Sequence, residues 1–218
     1  SYPLQKKASS FEFLREQAYL RPRTNTFNAL FRVRSEAAFA LHKFFNEEGF
    51  VYLNAPMFTA SDCEGAGELF KVSTQDIYGG KKLNPADELM GKAVYLSPSC
   101  QLEGEAFALA MGKIYTFGPS FRAENSHTIK HANEFWHIEP EMAFFELEDN
   151  MDLAEDFVRY LLTWALTKCA DDMKFFDERE QNLIRAQGGG IYPHICTKYK
   201  KRVLHYPYEE PFIHPCEE

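Results

Sequence analysis

A chain of 218 residues, 45% of them apolar and 15% aromatic with 20 phenylalanines, has the material for a sizeable core, which excludes an intrinsically disordered protein. Its net charge of −8 argues neither for nor against nucleic-acid binding, since an acidic protein can still bind RNA through a local basic patch. The five cysteines, Cys63, Cys100, Cys169, Cys196 and Cys216, are widely spaced with no CxxC pair; this argues against a disulfide framework or a metal site and fits reduced thiols in a cytosolic protein. No apolar run approaches a membrane span, and no signal peptide, internal repeat or low-complexity segment is legible.

Residues 9–19 predict a short helix capped by Ser9 or Ser10, with Glu12 in its first turn. Leu20-Arg21-Pro22-Arg23-Thr24-Asn25 comes next as a capped turn with solvated arginines, in preference to a contact with nucleic acid or a partner subunit. Residues 26–48 form the strongest helix pattern. Leu30, Val33, Ala37, Leu41 and Phe44 recur at helical spacing, Phe27, Ala38 and Phe45 widen the stripe, and Gly49 supplies a stop that tolerates positive φ. A strand over residues 50–53 closes at Pro56. Residues 59–73 hold a loop of small residues and carboxylates, Ser61 to Glu68, where the backbone can come close to a ligand. Residues 78–92 read as a solvent-exposed excursion, residues 94–102 as a strand running into a turn, and residues 102–111 as a helix.

Residues 113–144 concentrate the side chains that can do chemistry. Lys113–Phe121 is rich in β-branched and aromatic residues, with Gly118-Pro119 expected to kink or bulge it. A polar loop carrying His127, Lys130 and His131 leads to a return strand from Glu134, whose alternation puts Phe135, His137, Glu139 and Glu141 on one face. The Arg122 guanidinium can grip phosphate oxygens in a bidentate fork, a carboxylate such as Glu124 can accept from an exocyclic amine, and a phenyl ring can stack on a base. On these residues alone, a surface hairpin with a solvated charge cluster explains the stretch equally well. Residues 151–176 then predict an amphipathic helix that continues to about residue 180. Residues 181–218, with Gly188-Gly189-Gly190 and a basic run between Lys198 and Arg202, form an unassigned tail.

FRAEN followed by KHANEF resembles the second signature motif of class II aminoacyl-tRNA synthetases in the aspartate/asparagine/lysine branch, whose usual form is FRxE…RHxxEF. The flanking YLRPRTN, TASDCEGAGELFKVST, KIYTFGPSFRAENS and EFWHIEPE are similar to the asparagine-specific members in particular, and the resemblance covers roughly residues 2–180. It implies an α+β fold, an antiparallel β-sheet flanked by helices. Residues 1–180 would form the part of the catalytic domain bearing the first two motifs. The helix 26–48 and the strand ending in Pro56 resemble the first motif, which implies a homodimer through that helix. No counterpart of the third motif, of the acidic residues that hold Mg²⁺, or of the anticodon-reading β-barrel is recognised, so an incomplete catalytic domain is expected, with the Mg²⁺ ligands outside this chain.

The function implied by the resemblance is ATP-dependent activation of asparagine and its transfer to tRNA(Asn), in the cytoplasm. By the same resemblance, Arg122 is the catalytic clamp on the α-phosphate, Glu124 meets the adenine amine and Phe135 stacks on adenine. His131 and Lys130 face the terminal phosphates; the usual arginine there is Lys130 in this chain, which keeps the charge and loses the fork. Glu64 falls to the substrate α-amino group, Gln101 lines the amino-acid pocket, and Glu139 and Glu141 accept from the asparagine amide or bond within the sheet. Aspartate-specific relatives carry a lysine where this chain has Gly104; loss of that cation suits a neutral amide better than a carboxylate, although SPSCQL departs from the usual asparagine text, VSGQL. The alternatives are a non-catalytic synthetase-like protein that binds a nucleotide or a partner, and an aspartate-specific relative.

Overall fold

The apolar stripe of residues 26–48 is realised in the computed structural model as one helix, α2, Asn25–Glu47, ended by Gly49 at φ +78°. The structure describes residues 3–4, 9–63, 65, 68–80, 82–126, 128 and 131–186, the last six by their backbone only. Two compact units divide the chain, one of residues 1–40 with 155–218 and one of residues 41–154.

In the first unit, α1 (Phe11–Glu16) starts where Ser10 Oγ accepts the N–H of Phe13 at 3.2 Å. The arginine-bearing turn after it is a 3-10 helix, Ala18–Arg23, and Leu14 and Leu20 bury themselves as this pair folds. Two further helices complete the unit, α4 (Leu147–Lys168) from residue 155 onward and α5 (Ala170–Ala186). The single helix expected over residues 151–176 thus begins four residues early and is broken at buried Cys169. The early start has a local cause: the Asp149 carboxylate accepts the N–H of Glu146 at 3.0 Å, as in a capping box. Trp164 Nε1 donates to Glu36 at 3.1 Å and Arg32 pairs with Asp172, so α4 and α5 are each tied to α2. That pairing holds the Asp172 carboxyl below its ordinary range.

The second unit is built on a three-stranded sheet in the order β1 (Val51–Tyr52), β5 (Lys113–Phe121), β6 (Glu134–Met142). β5 and β6 pair antiparallel over all nine residues of each, whereas β1 pairs parallel with β5, the one parallel pairing in the expected antiparallel arrangement among the described residues. A second antiparallel sheet has the order β2 (Phe58–Thr59), β4 (Val94–Leu96), β3 (Lys71–Val72). The expected bulge at Gly118-Pro119 does not occur, and the register runs through it unbroken. The reason lies in the phase of the strand. Tyr115 O accepts from Leu53 N, Phe117 O from Tyr52 Oη, and Phe121 N donates to Ser97 O, so odd-numbered residues turn their main-chain groups away from β6. Pro119 shares that phase beyond the end of β1, where no ladder bond is lost.

Opposite faces of this sheet have different covers. Phe45 stacks on Tyr115 at 4.8 Å and meets Phe44 and Phe50 edge-on, while His42 Nδ1 lies 2.8 Å from Tyr115 Oη. α3 (Gln101–Met111) covers the face of Ile114 and Glu141, where buried Gly104 permits close approach: a Cβ there would fall 3.2 Å from Glu141 Cγ and 3.5 Å from Ile114 Cδ1. The loop over residues 78–92 is less of a free excursion than its composition predicts. Glu88 is buried in it, accepting from Ser73 Oγ at 2.8 Å and Thr74 N at 3.1 Å, and these bonds hold its carboxyl below the usual range.

Candidate active site

Once β5 and β6 are paired through Phe121↔Glu134, the residues just beyond the ladder are forced together. Arg122, Glu124, Ser126, His131, Ala132, Asn133 and Phe135 line one cleft of about 380 Å³. The Arg122 guanidinium carbon lies 5.4 Å from the centre of the Phe135 ring, and its Nε donates to the Pro98 carbonyl at 3.4 Å. Among the described residues nothing holds its two terminal nitrogens, so the fork is available to a ligand. Glu124 is half-buried and His131 exposed, its Nδ1 against Thr128 Oγ1. A cation, a flat ring, a carboxylate and an imidazole on one rim can take a ligand with an anionic group and an aromatic base.

A second group of the expected residues gathers around the start of α3. Glu139, 8% exposed, accepts from Ser99 Oγ, from Cys100 N at 3.1–3.2 Å and from Thr116 Oγ1 at 3.2 Å, with His137 Nδ1 at 3.3 Å. Gln101 opens the helix; its Nε2 donates to Glu105 at 3.0 Å and its N–H to Ser99 Oγ at 3.1 Å. Glu141 lies beside Gly104, so a side chain at that position, a lysine included, would have to displace it. His137 spans the two groups, its ring 5.4 Å from that of Phe135 and its Nδ1 near Glu139. Glu64, Lys130 and His127 lie outside the described residues.

Cys100, at the head of α3, has its thiol pushed up to about 11 by burial first and then by the Glu139 and Glu103 carboxylates. Its thiol is therefore expected to resist iodoacetamide at pH 8 in the native protein and to react on denaturation, as mass spectrometry of that peptide will show. Because the folded value is raised above the ordinary 9.0, its stabilising contribution is full below pH 9 and is lost as pH rises through about 11. Rapid native labelling at pH 8 would contradict the burial.

Sequence reasoning gave no role to Asn133, whose side chain lines the cleft and donates to Arg122 O, nor to Ser99 and Thr116, which hold Glu139. Asn133 stood in view between the loop and the return strand; the other two partners lie far off in sequence.

The family described as tRNA synthetases class II (D, K and N) matches residues 10–211. The chain belongs to this family. The match runs past residue 180 into the stretch that sequence reasoning left unassigned. Asparagine–tRNA ligases of Bacteroides fragilis and Phocaeicola vulgatus are each 57% identical to it, over 183 and 195 residues. Those alignments cover 82% and 86% of this chain but 39% and 42% of the relatives, so the chain spans about two fifths of their length. Asparaginyl-tRNA synthetase from Pyrococcus horikoshii complexed with asparaginyl-adenylate matches with a TM-score of 0.68 at 25% identity, covering 87% of this chain and 45% of that one. The Entamoeba histolytica asparaginyl-tRNA synthetase gives 0.62 at 24% identity, over 80% and 36%, a likeness of fold. The class II family fold is thus an α+β fold here too, as its motifs imply.

Proposed function

We propose that this chain is part of an asparagine–tRNA ligase and carries a portion of the site that activates asparagine. The observation that carries the reading is the Arg122 fork beside the Phe135 ring, with Glu124 and His131 on the same rim, in a chain 57% identical to proteins named asparagine–tRNA ligase. In the proposed reaction a carboxylate oxygen of asparagine attacks the α-phosphorus of ATP. The bond to the β-phosphate bridging oxygen breaks, releasing pyrophosphate and leaving asparaginyl-adenylate. A terminal ribose hydroxyl of tRNA(Asn) then attacks the acyl carbon and AMP departs. Neither step needs a protein nucleophile; placement and charge stabilisation suffice.

Arg122 grips the α-phosphate as negative charge accumulates there, Phe135 stacks on adenine and Glu124 accepts from its amine. His131, with Lys130, faces the departing phosphates. At the other end of the substrate, Glu64 takes the α-ammonium and Gln101 lines the pocket. Glu139, Glu141 or both accept from the amide. Mg²⁺ belongs to the same proposal, its ligands expected outside this chain. A homodimer through α2 and a place in the cytoplasm belong to the same proposal; no described helix is long and apolar enough to cross a membrane.

The test is ATP–pyrophosphate exchange by the purified chain with asparagine or aspartate. Exchange stimulated by asparagine alone is the expected outcome. Stimulation by aspartate instead would assign the chain to an aspartate-specific relative, and ATP binding without exchange would leave a nucleotide-binding portion only.

A further inference from the structure

Arg122 and Glu124 sit in a weak place for precise work. The β5–β6 ladder ends at Phe121↔Glu134, so neither residue is held by strand pairing. Yet the main chain here is held at five points, one of them the Ser126 N–H on Glu124 O at 2.9 Å. Asn133 Nδ2 donates to Arg122 O at 2.7 Å and to Glu124 O at 3.3 Å, and Asn133 O accepts from Arg122 N at 3.0 Å. Between them, Ala123 N donates to Glu68 O at 2.7 Å, from a loop far away in sequence.

We infer that Asn133 is the positioning residue of the cleft, a side-chain clamp that extends the hairpin past its last ladder pair and aims Arg122 and Glu124 before a nucleotide arrives. This role rests on the proposed nucleotide site. The residue type follows from the geometry. One planar NH₂ has two donors, and here they reach two carbonyls two residues apart. Alanine and serine are too short to reach, and aspartate would turn acceptors toward those carbonyls. Asn133 is itself exposed, so its side chain is held by these bonds and not by burial. A side chain fixed in this way lowers the ordering cost that binding would otherwise carry.

The experiment compares the wild-type chain with Asn133→Ala and the isosteric Asn133→Asp, titrating each with ATP and with adenosine. Hydrogen exchange is followed in parallel over residues 121–125. Loss of two hydrogen bonds is expected to weaken ATP binding about tenfold in Asn133→Ala and at least as much in Asn133→Asp. Adenosine, which lacks the phosphate that Arg122 meets and keeps the stack on Phe135, loses less. Exchange over residues 121–125 is expected to quicken while the thermal midpoint stays put. Wild-type ATP affinity and exchange in both variants would overturn the clamp. So would equal losses for ATP and adenosine with a lowered midpoint, since that is a general structural defect. A wild-type chain that binds no ATP would overturn the nucleotide reading itself and this inference with it.

Discussion

Alanine at Arg122 is expected to weaken ATP binding by the chain about a hundredfold, with little change in stability. A hydrogen bond to a charged group contributes about 1.5–3 kcal/mol, so two made by one fork amount to about 3–6 kcal/mol; water replacing the fork in an open cleft recovers part of this, which leaves a loss of about 2.7 kcal/mol, a hundredfold. Among the described residues only the Nε–H is committed, to Pro98 O at 3.4 Å, and the side chain is half-buried, so little of the fold depends on it. Arg122→Lys separates charge from geometry. Lysine keeps the cation and loses the planar fork, so a loss of about tenfold is expected. Phe135→Ala removes the stack, about 1–3 kcal/mol for a base on an aromatic ring, and its penalty should extend to adenosine, which the Arg122 penalty should not. Calorimetric titration with both ligands reads all three variants. Unchanged ATP affinity in Arg122→Ala would remove the residue from the site.

The hairpin that bears these residues was legible because its signal is local. β-branched and aromatic content set the bounds of β5 and alternation the start of β6, and the period of that alternation put Phe135, His137, Glu139 and Glu141 on one face, as their pairing partners Ser120, Gly118, Thr116 and Ile114 require. α2 was legible for the same reason, through its 3.6-residue stripe and terminal glycine. The features that escaped depend on partners distant in sequence. Gly118-Pro119 reads as a kink or bulge until the short reach of β1 shows that the proline's missing N–H costs no ladder bond. Glu88 reads as one more loop charge until Ser73 and Thr74 close on it. The break at Cys169 has no glycine or proline to announce it. The cleft residues were found through a motif, whereas the clamp that holds them rests on an unremarkable asparagine within it.

Glu139→Ala is expected to lower stability by about 3 kcal/mol, or roughly 6–12 °C in thermal midpoint for a chain of this size. The loss originates at the head of α3. Cys100 stands at its N-cap position and makes no side-chain capping bond, so the first-turn donors need an acceptor from elsewhere. Glu139 supplies it across the sheet, taking Cys100 N at 3.1–3.2 Å and placing a carboxylate at the helix N-terminus. Ser99 Oγ and Thr116 Oγ1 converge on the same group. Alanine would leave a buried N–H unpaired together with two hydroxyls, and only the hydroxyls can rotate toward new partners. Glu139→Gln keeps the shape but gives up the charge and turns an NH₂ toward donors, so about half the loss is expected. Under the proposed function, a substrate amide would have to displace Ser99 or Thr116 to bond this carboxylate. Guanidinium denaturation of Glu139→Ala, Glu139→Gln and Glu141→Ala distinguishes the cases. A midpoint unchanged in Glu139→Ala would mean that the carboxylate does not anchor α3, whereas the expected loss, larger than that of Glu141→Ala, would make anchoring its role.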